Sequence, residues 1–190
     1  MIEAVFGDAM TAARELLDKT KMELAALSCP KPTGPFRFHL HGLGNKGETE
    51  FLANFPGGYA KADRGTDHIY VFSLVDGSPA AFASFSQLFE VARQENNKEA
   101  AYCRFIKEHA STTTLYVGRS QKLRSRIAQH LDAKAGRTYA MHMGRWAKEL
   151  DLEIAVSFIT FRNRSDTLVQ AVEDGLWMAL EPALGKHGRK

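Results

Sequence analysis

The densest group of residues that could bind an anion lies between Arg119 and Glu149. This stretch holds eight basic residues against two acidic ones, so its local charge is +6. The basic residues are Arg119, Lys122, Arg124, Arg126, Lys134, Arg137, Arg145 and Lys148. Such a stretch can follow a phosphate backbone, but a solvated helix face has a similar composition. Charge alone leaves both interpretations open.

A helix predicted over residues 121–133 places an arginine and a histidine beside its apolar face. With about 100° between successive residues, Leu123, Ile127 and Leu131 share an arc of about 80°. Arg126 and His130, four positions apart, border this arc. We expect them to line a cleft. The alternative is an arginine whose stem packs on the helix while its charge stays in water, next to a surface histidine.

The last predicted helix, residues 165–180, carries an acid inside its apolar arc. Glu173 lies between Val169 and Leu176 on one side and Trp177 on the other. A carboxylate turned toward the core loses hydration unless a cation or a hydrogen-bond donor meets it. Glu173 therefore needs a partner, either a metal ion or a cation such as Arg126. A purely structural ion pair is the alternative.

These residues together resemble the GIY-YIG nuclease superfamily. The shared residues are Tyr70 in the run HIY (68–70), Tyr116 in the run YVGR (116–119), Arg126, His130, Glu173 and Pro182. The family's spacing is also matched, since Arg126 follows Tyr116 by ten positions and Pro182 follows Glu173 by nine. The resemblance covers about residues 67–185. It departs from the family at His68, which stands in place of the first glycine.

The resemblance implies an α+β fold whose small three-stranded antiparallel sheet is flanked by helices. The strands would be residues 68–74, 112–118 and 152–160. Because Tyr70 and Tyr116 lie 46 residues apart, a helical insertion is expected at about 76–111. The nuclease-like domain would cover 67–190, after an N-terminal extension of residues 1–66.

The resemblance also implies metal-dependent hydrolysis of DNA, with a role for each site residue. Glu173 would bind one Mg²⁺ or Mn²⁺ ion, because these hard cations accept one carboxylate together with waters and phosphate oxygens. Arg126 would contact the scissile phosphate, and Tyr116 would position water or phosphate. Further substrate contacts are expected at Gly118, Arg119, Lys122 and Arg124. Tyr70 is the general base by resemblance, whereas reference pKa values favour His130, and this choice is left open.

The expected partner is DNA, and the leading hypothesis is a stand-alone endonuclease of restriction, mobile-element or repair type. The alternatives are a nucleic-acid-binding module of the same fold, either non-catalytic or dependent on a larger complex, and a nuclease that acts on RNA. Substrate recognition would have to come from residues 1–66 and from the insertion, which makes a compact restriction-type enzyme or a homodimer attractive.

Elsewhere the sequence predicts mainly helices. Apolar spacing indicates one long helix over residues 1–28, which could form a dimer interface or cover the sheet. The run FRFHLH (36–41) suggests a strand, with loop and a short hairpin through Gly65. Residues 79–110 are predicted as two helices divided near Asn96, and residues 138–150 as another helix.

Several other candidate sites lack supporting context in the sequence. The run GLGNKG (42–47) fits a dinucleotide-binding pattern, but too few residues follow it for a crossover helix, so no dinucleotide cofactor is expected. His39 and His41 share one side of a strand, yet no Cys/His pair at ligand spacing accompanies them. Cys29 and Cys103 are expected to be reduced thiols.

Length and composition agree with one globular unit. The chain has 190 residues, of which 44% are hydrophobic and 25% charged, a balance that excludes disordered, collagen-like and coiled-coil chains. It has no apolar run of about 18 residues and begins with an acidic rather than a basic stretch. We therefore expect a cytoplasmic protein with no membrane segment.

Overall fold

The computed structural model describes residues 2–44, 47–56, 65–96, 100–109, 112–132 and 138–186. Within these ranges the chain is α+β, with an antiparallel four-stranded sheet flanked by helices. The strands are β1 (Thr33–His39), β2 (Thr66–Leu74), β3 (Thr114–Ser120) and β4 (Glu153–Arg162), in the order β1-β4-β2-β3. The helices are α1 (Ile2–Ala25), α2 (Gly47–Asn54), α3 (Pro79–Gln94), α4 (Leu123–Leu131), α5 (Met143–Trp146) and α6 (Asp166–Leu180).

The sheet has four strands where three were predicted. The additional strand, β1, comes from the N-terminal extension and pairs antiparallel with β4, with Phe36 opposite Val156 and His39 opposite Glu153. Phe36 and Phe38 pack toward the core while His39 stays exposed, which is the alternation expected of an edge strand. Sequence patterning identified the strand but not its partner. The domain boundary between residues 66 and 67 stays a prediction.

The two faces of the sheet carry separate apolar cores. On one face Tyr70 and Phe72 belong to a large cluster that includes residues of α2, α3, α4 and α5. On the other face Ile69 belongs to a smaller cluster with Val169 of α6. Because neighbouring residues of a strand point to opposite faces, Tyr70 is directed toward α4 and Ile69 toward α6.

Two predicted loop and helix assignments are corrected. Residues 47–54 form α2 instead of a loop or short hairpin, because Phe51 and Phe55 pack against the phenylalanines of β1, with ring centroids of Phe36 and Phe55 5.1 Å apart. Of the helix predicted over 138–150, only α5 forms.

The insertion between β2 and β3 is only partly helical. Its first helix forms as α3, but residues 100–106 are not helical and form isolated β-bridges at Tyr102 and Phe105. The Cys103 N–H donates to the Ala140 carbonyl at 3.0 Å, and the Ile106 N–H donates to the Ala183 carbonyl at 2.8 Å. These long-range bonds replace the predicted second helix. They place residues 100–106 beside the segment that follows α6.

The N-terminal helix forms as predicted but leaves much apolar surface exposed. Thr20 is buried and Leu27, just beyond the helix, packs against the α6 side of the sheet. The exposed apolar side chains of α1 are Phe6, Met10, Leu16, Leu17, Met22 and Leu24. Whether α1 forms a dimer interface stays a prediction. None of the described helices combines the length and apolar character that crossing a membrane requires.

Candidate active site

The rings of Tyr70 and Tyr116 can pack against each other because the residue next to both of them on this face of the sheet, Gly118, has no side chain. Tyr70 of β2 pairs with Gly118 of β3, and Tyr116 lies two residues before that glycine on the same face. The two rings stack with centroids 6.1 Å apart. A Cβ at Gly118 would lie 2.6 Å from both the Tyr70 hydroxyl oxygen and Tyr116 Cε1. Only glycine allows this close approach.

Arg126 connects the two tyrosine hydroxyls. Its Nε donates to the Tyr70 oxygen at 3.2 Å, and one Nη donates to the Tyr116 oxygen at 3.4 Å. The side chain also donates to the Gln129 amide oxygen at 2.9 Å and to the Tyr139 carbonyl at 2.6 Å. The guanidinium is therefore held rigidly, half-buried, with its charge directed at the tyrosine pair. The border position predicted on α4 is confirmed.

His130 lies behind the tyrosines and is fully buried. Its Nδ1 is 3.3 Å from the Met141 backbone N–H, which can only donate, so Nδ1 must accept. In the neutral ring the proton then sits on Nε2, which lies 3.2 Å from the Tyr70 hydroxyl oxygen. Burial, followed by the charges of Arg126 and His142, lowers the pKa of His130 well below 6.5. His130 is thus a neutral donor to Tyr70.

Burial controls the ionisation of both tyrosines. It raises the pKa of Tyr70 above the ordinary 10.0, and the neighbouring Tyr116 raises it further, while Arg126 acts in the opposite direction. Burial also raises the pKa of Tyr116, again opposed by Arg126. Through-space repulsion from Glu173 contributes to both increases. In the free protein both hydroxyls are therefore protonated.

Glu173 reaches the same place from the opposite face of the sheet. Because β3 is an edge strand, α6 and α4 border one cleft of about 480 Å³ around it. Four of the five predicted catalytic residues line this cleft, namely Tyr70, Tyr116, Arg126 and Glu173, together with Gly118 and Arg119. The fifth, His130, contacts it through Tyr70. We call this space the tyrosine cleft.

Arg119 is engaged by two acids that the sequence did not point to. Its Nε donates to Asp67 at 2.9 Å, and one Nη donates to the Asp166 carboxylate at 2.7 Å. Its side chain is only 11% exposed. Arg119, Asp67, Asp166 and Glu173 also line a neighbouring pocket of about 410 Å³. Because two carboxylates offset its charge, Arg119 mainly joins β2, β3 and the start of α6.

The remaining predicted substrate contacts lie outside the tyrosine cleft. Lys122 is exposed just before α4, and Arg124 is half-buried on that helix, but neither lines the cleft. Lys134 and Arg137 of the basic stretch lie outside the described residues. Of the described basic residues in this stretch, Arg126 and Arg119 line the cleft, and only Arg126 brings a charge that no carboxylate in its hydrogen bonds offsets.

Two other cations line the tyrosine cleft from distant parts of the chain. Arg104 belongs to the insertion and Lys186 follows α6, and both are exposed. The Gly185 N–H donates to the Arg104 carbonyl at 2.8 Å, which joins the two segments. A Cβ at Gly185 would lie 3.2 Å from the Tyr116 ring, so this segment packs directly on the tyrosine pair. No local pattern marks either cation, because long-range pairing brings them here.

The five predicted catalytic residues therefore lie together at one edge of the sheet, with Gly118 and Arg119, whereas Lys122 and Arg124 do not line the cleft. The arrangement combines one buried and one half-buried phenol, a rigid guanidinium, a half-buried carboxylate and two exposed cations around one cleft. Comparison with family models, curated proteins and solved structures found no match for this chain.

Proposed function

We propose that the protein is a metal-dependent DNA endonuclease of the GIY-YIG type. One observation carries the proposal: Arg126 donates to both tyrosine hydroxyls, at 3.2 and 3.4 Å, in a cleft that Glu173 also lines. Strands β2, β3 and β4 with α4 and α6 are the part that resembles the family. β1 and α1–α3 are the elements that this chain adds.

The tyrosine cleft is suited to a phosphodiester. Arg126 supplies a permanent charge, and its contacts with the described residues use four of its five N–H donors, which leaves one on Nη1 for a phosphoryl oxygen. A donor fixed before the substrate arrives needs no reorganisation as charge develops on the phosphate. Arg104 and Lys186 add exposed charge at the mouth, where the flanking phosphates of a strand would lie.

The donor set around Glu173 fits one Mg²⁺ or Mn²⁺ ion. Glu173 offers a half-buried carboxylate oxygen beside the cleft, which is the hard ligand that these ions prefer. The nearby Asp67 and Asp166 carboxylates are both bonded to Arg119, which argues against a second ion. When bound, the ion would supply positive charge for the phosphoryl and leaving oxygens and would lower the pKa of nearby phenols.

Tyr70, once its hydroxyl has lost its own proton to solvent, is the better candidate for the group that receives the proton of the attacking water. Its oxygen accepts from Arg126 and lies within hydrogen-bond distance of His130 Nε2, and two donors stabilise a phenolate. Both ring nitrogens of His130 face protein groups, and Nε2 carries a proton, so the imidazole has no free lone pair for water. We assign His130 as a positioning residue for Tyr70.

A cleavage screen tests the proposal. Plasmid, branched DNA and single-stranded RNA are incubated with the protein and Mg²⁺, Mn²⁺ or EDTA. We expect cleavage of DNA with either metal and none with EDTA. Arg126→Ala should reduce the rate by about 10²–10³-fold, and Glu173→Ala should abolish cleavage. Glu173→Ala should weaken DNA binding less than Arg126→Ala does, because removing a negative charge beside a phosphate removes no attraction.

Matched controls keep the screen specific. Arg164→Ala removes an exposed arginine between β4 and α6, outside the cleft and outside the segments expected to recognise substrate. Asp174→Asn changes the acid next to Glu173, and the Asp174 carboxylate accepts from Gln170 at 3.0 Å. Both should cleave like the parent. Salt-sensitive binding without cleavage would favour the non-catalytic module, and cleavage of RNA alone would favour the RNA-directed enzyme. Equal cleavage by parent, Arg126→Ala and Glu173→Ala would rule out the mechanism.

A further inference from the structure

A second cluster of potential metal ligands lies at the opposite edge of the sheet. β1 ends at His39, the first residue of the run His39-Leu40-His41, and β4 begins at Glu153, the last residue of the run Asp151-Leu152-Glu153. The two runs lie side by side, since His39 pairs with Glu153 and the Leu40 N–H donates to the Leu152 carbonyl at 2.9 Å. Both leucines pack toward the core.

The alternating pattern directs the polar side chains of both runs toward solvent. His41 Nδ1 lies 3.6 Å from Asp151 Oδ1, and the His39 and His41 ring centroids are 5.3 Å apart. One ligand atom from each of His39, His41 and Asp151 lies within 4.8 Å of the other two. Among the described residues no other group of three or more His, Cys, Asp or Glu side chains meets this criterion.

We propose that His39, His41 and Asp151 bind one divalent transition-metal ion of the Zn²⁺ type. Two imidazole nitrogens and one carboxylate oxygen are ligands that zinc accepts with bonds of about 2.0–2.2 Å, which separates neighbouring ligand atoms by about 3.3 Å in a tetrahedral site. The three side chains are 53–94% exposed, so they can rotate by the small distance required without moving the backbone. Water takes the fourth position.

Glu153 has the position of a supporting carboxylate. Its Oε1 lies 3.8 Å from His39 Nε2, and its Oε2 is 3.5 Å from Arg37 Nη1. A carboxylate beside a ligating histidine fixes the orientation of the ring and strengthens the metal bond. The ion would join the end of β1 to the start of β4, and so attach the N-terminal edge strand to the sheet. This inference does not depend on the proposed nuclease activity.

The ligand chemistry separates this site from Glu173. Imidazole nitrogens select zinc and its neighbours over Mg²⁺, whereas a single carboxylate with waters suits Mg²⁺. The two sites also lie on opposite edges of the sheet, because β1 and β3 are the outer strands. Metal binding at each can therefore be measured separately.

Calorimetric titration of the chelator-treated full-length chain with ZnCl₂ tests the proposal, and the visible spectrum with Co²⁺ reports the ligand geometry. We expect one strong site. His39→Ala, His41→Ala and Asp151→Asn should each weaken Zn²⁺ binding by at least about tenfold, and Glu153→Gln by about 10–100-fold. Asp18→Asn, which changes an exposed acid on α1, should bind like the parent.

Melting temperatures measured with and without Zn²⁺ make the result decisive. Zn²⁺ should raise the melting temperature of the parent and of Glu173→Gln but not of His39→Ala. Without metal, the parent and His39→Ala should have the same melting temperature, because the His39 side chain is exposed. The proposal is overturned if the parent binds no Zn²⁺, or if the three ligand variants bind it like the parent. It is also overturned if Glu173→Gln alone removes the strong site.

Discussion

Replacing Gly118 with alanine should disorganise the tyrosine cleft without touching any charged group. The added Cβ would lie 2.6 Å from the Tyr70 oxygen and from Tyr116 Cε1, and 2.9 Å from Tyr70 Cζ. Ordinary contacts begin at 3.4 Å, so the closest atoms must move apart by about 0.8 Å. Tyr70 is fully buried and its ring stacks on that of Tyr116, so the two rings have little room for this shift.

The consequence for the site follows from the hydrogen bonds at Tyr70. Its oxygen lies 3.2 Å from Arg126 Nε and 3.2 Å from His130 Nε2. A displacement of about 0.8 Å away from either donor would break that bond, because hydrogen bonds weaken sharply beyond about 3.2 Å. Misplacing a reacting group by about 1 Å can cost about 10²-fold in rate. Overpacking should also lower the free energy of unfolding by about 1–3 kcal/mol.

Gly175 offers the matched control. It lies within α6, two residues from Glu173, and an added Cβ there would have no atom within 4 Å. Gly175→Ala should therefore raise the free energy of unfolding by about 0.4–1 kcal/mol, because alanine favours the helix. Urea denaturation and DNA cleavage with Mg²⁺ are measured for both variants. Parent-like stability and cleavage in Gly118→Ala would refute the packing argument.

Three further results are expected. Because the pKa of Tyr70 is raised, kcat/KM should climb with pH through the neutral and alkaline range, whereas a base at His130, whose pKa is lowered, would give a flat profile above pH about 6.5. Below pH about 6.5, His130 stays neutral in the folded chain but binds a proton in the unfolded chain. The free energy of unfolding, measured by urea titration, should therefore fall as the pH falls below about 6.5. The fall is at most about 1.4 kcal/mol per pH unit for this group, and His130→Gln should remove that component; an unchanged slope would contradict it. The double variant Arg104→Ala/Lys186→Ala should raise KM more than it lowers kcat. In a plot of the logarithm of the DNA-binding constant against the logarithm of salt concentration, its slope should be shallower by about 0.9 for each phosphate that is no longer neutralised. An unchanged slope would place the DNA elsewhere.

The parts of the site that the sequence predicted are those governed by local periodicity. Helical spacing placed Arg126 at the border of an apolar stripe and Glu173 within one, and the structure positions both beside the tyrosines. The predicted strands 68–74, 112–118 and 152–160 likewise match β2, β3 and β4 to within two residues at each end. In these elements the side-chain directions follow from residues that are close in the sequence, so a single sequence is enough to predict them.

The parts that were missed depend on contacts between distant segments. Asp67 and Asp166 bind Arg119 across 52 and 47 residues, and Arg104 reaches the cleft because the insertion pairs with residues 183–185. The same pairing replaced the second helix predicted in the insertion. The pairing of β1 with β4 also brought Asp151 to His39 and His41, where the sequence showed two histidines alone.

Single-turnover cleavage of end-labelled DNA, with protein in excess, tests the central claim most directly. This measurement separates chemistry from binding, so removal of a ligand for the ion appears as a reduced rate at unchanged occupancy. We predict Mg²⁺-dependent cleavage by the parent and by Asp174→Asn, and none by Glu173→Gln although it still binds the DNA. Cleavage by Glu173→Gln at the parent rate, or cleavage by the parent in EDTA, would contradict the account.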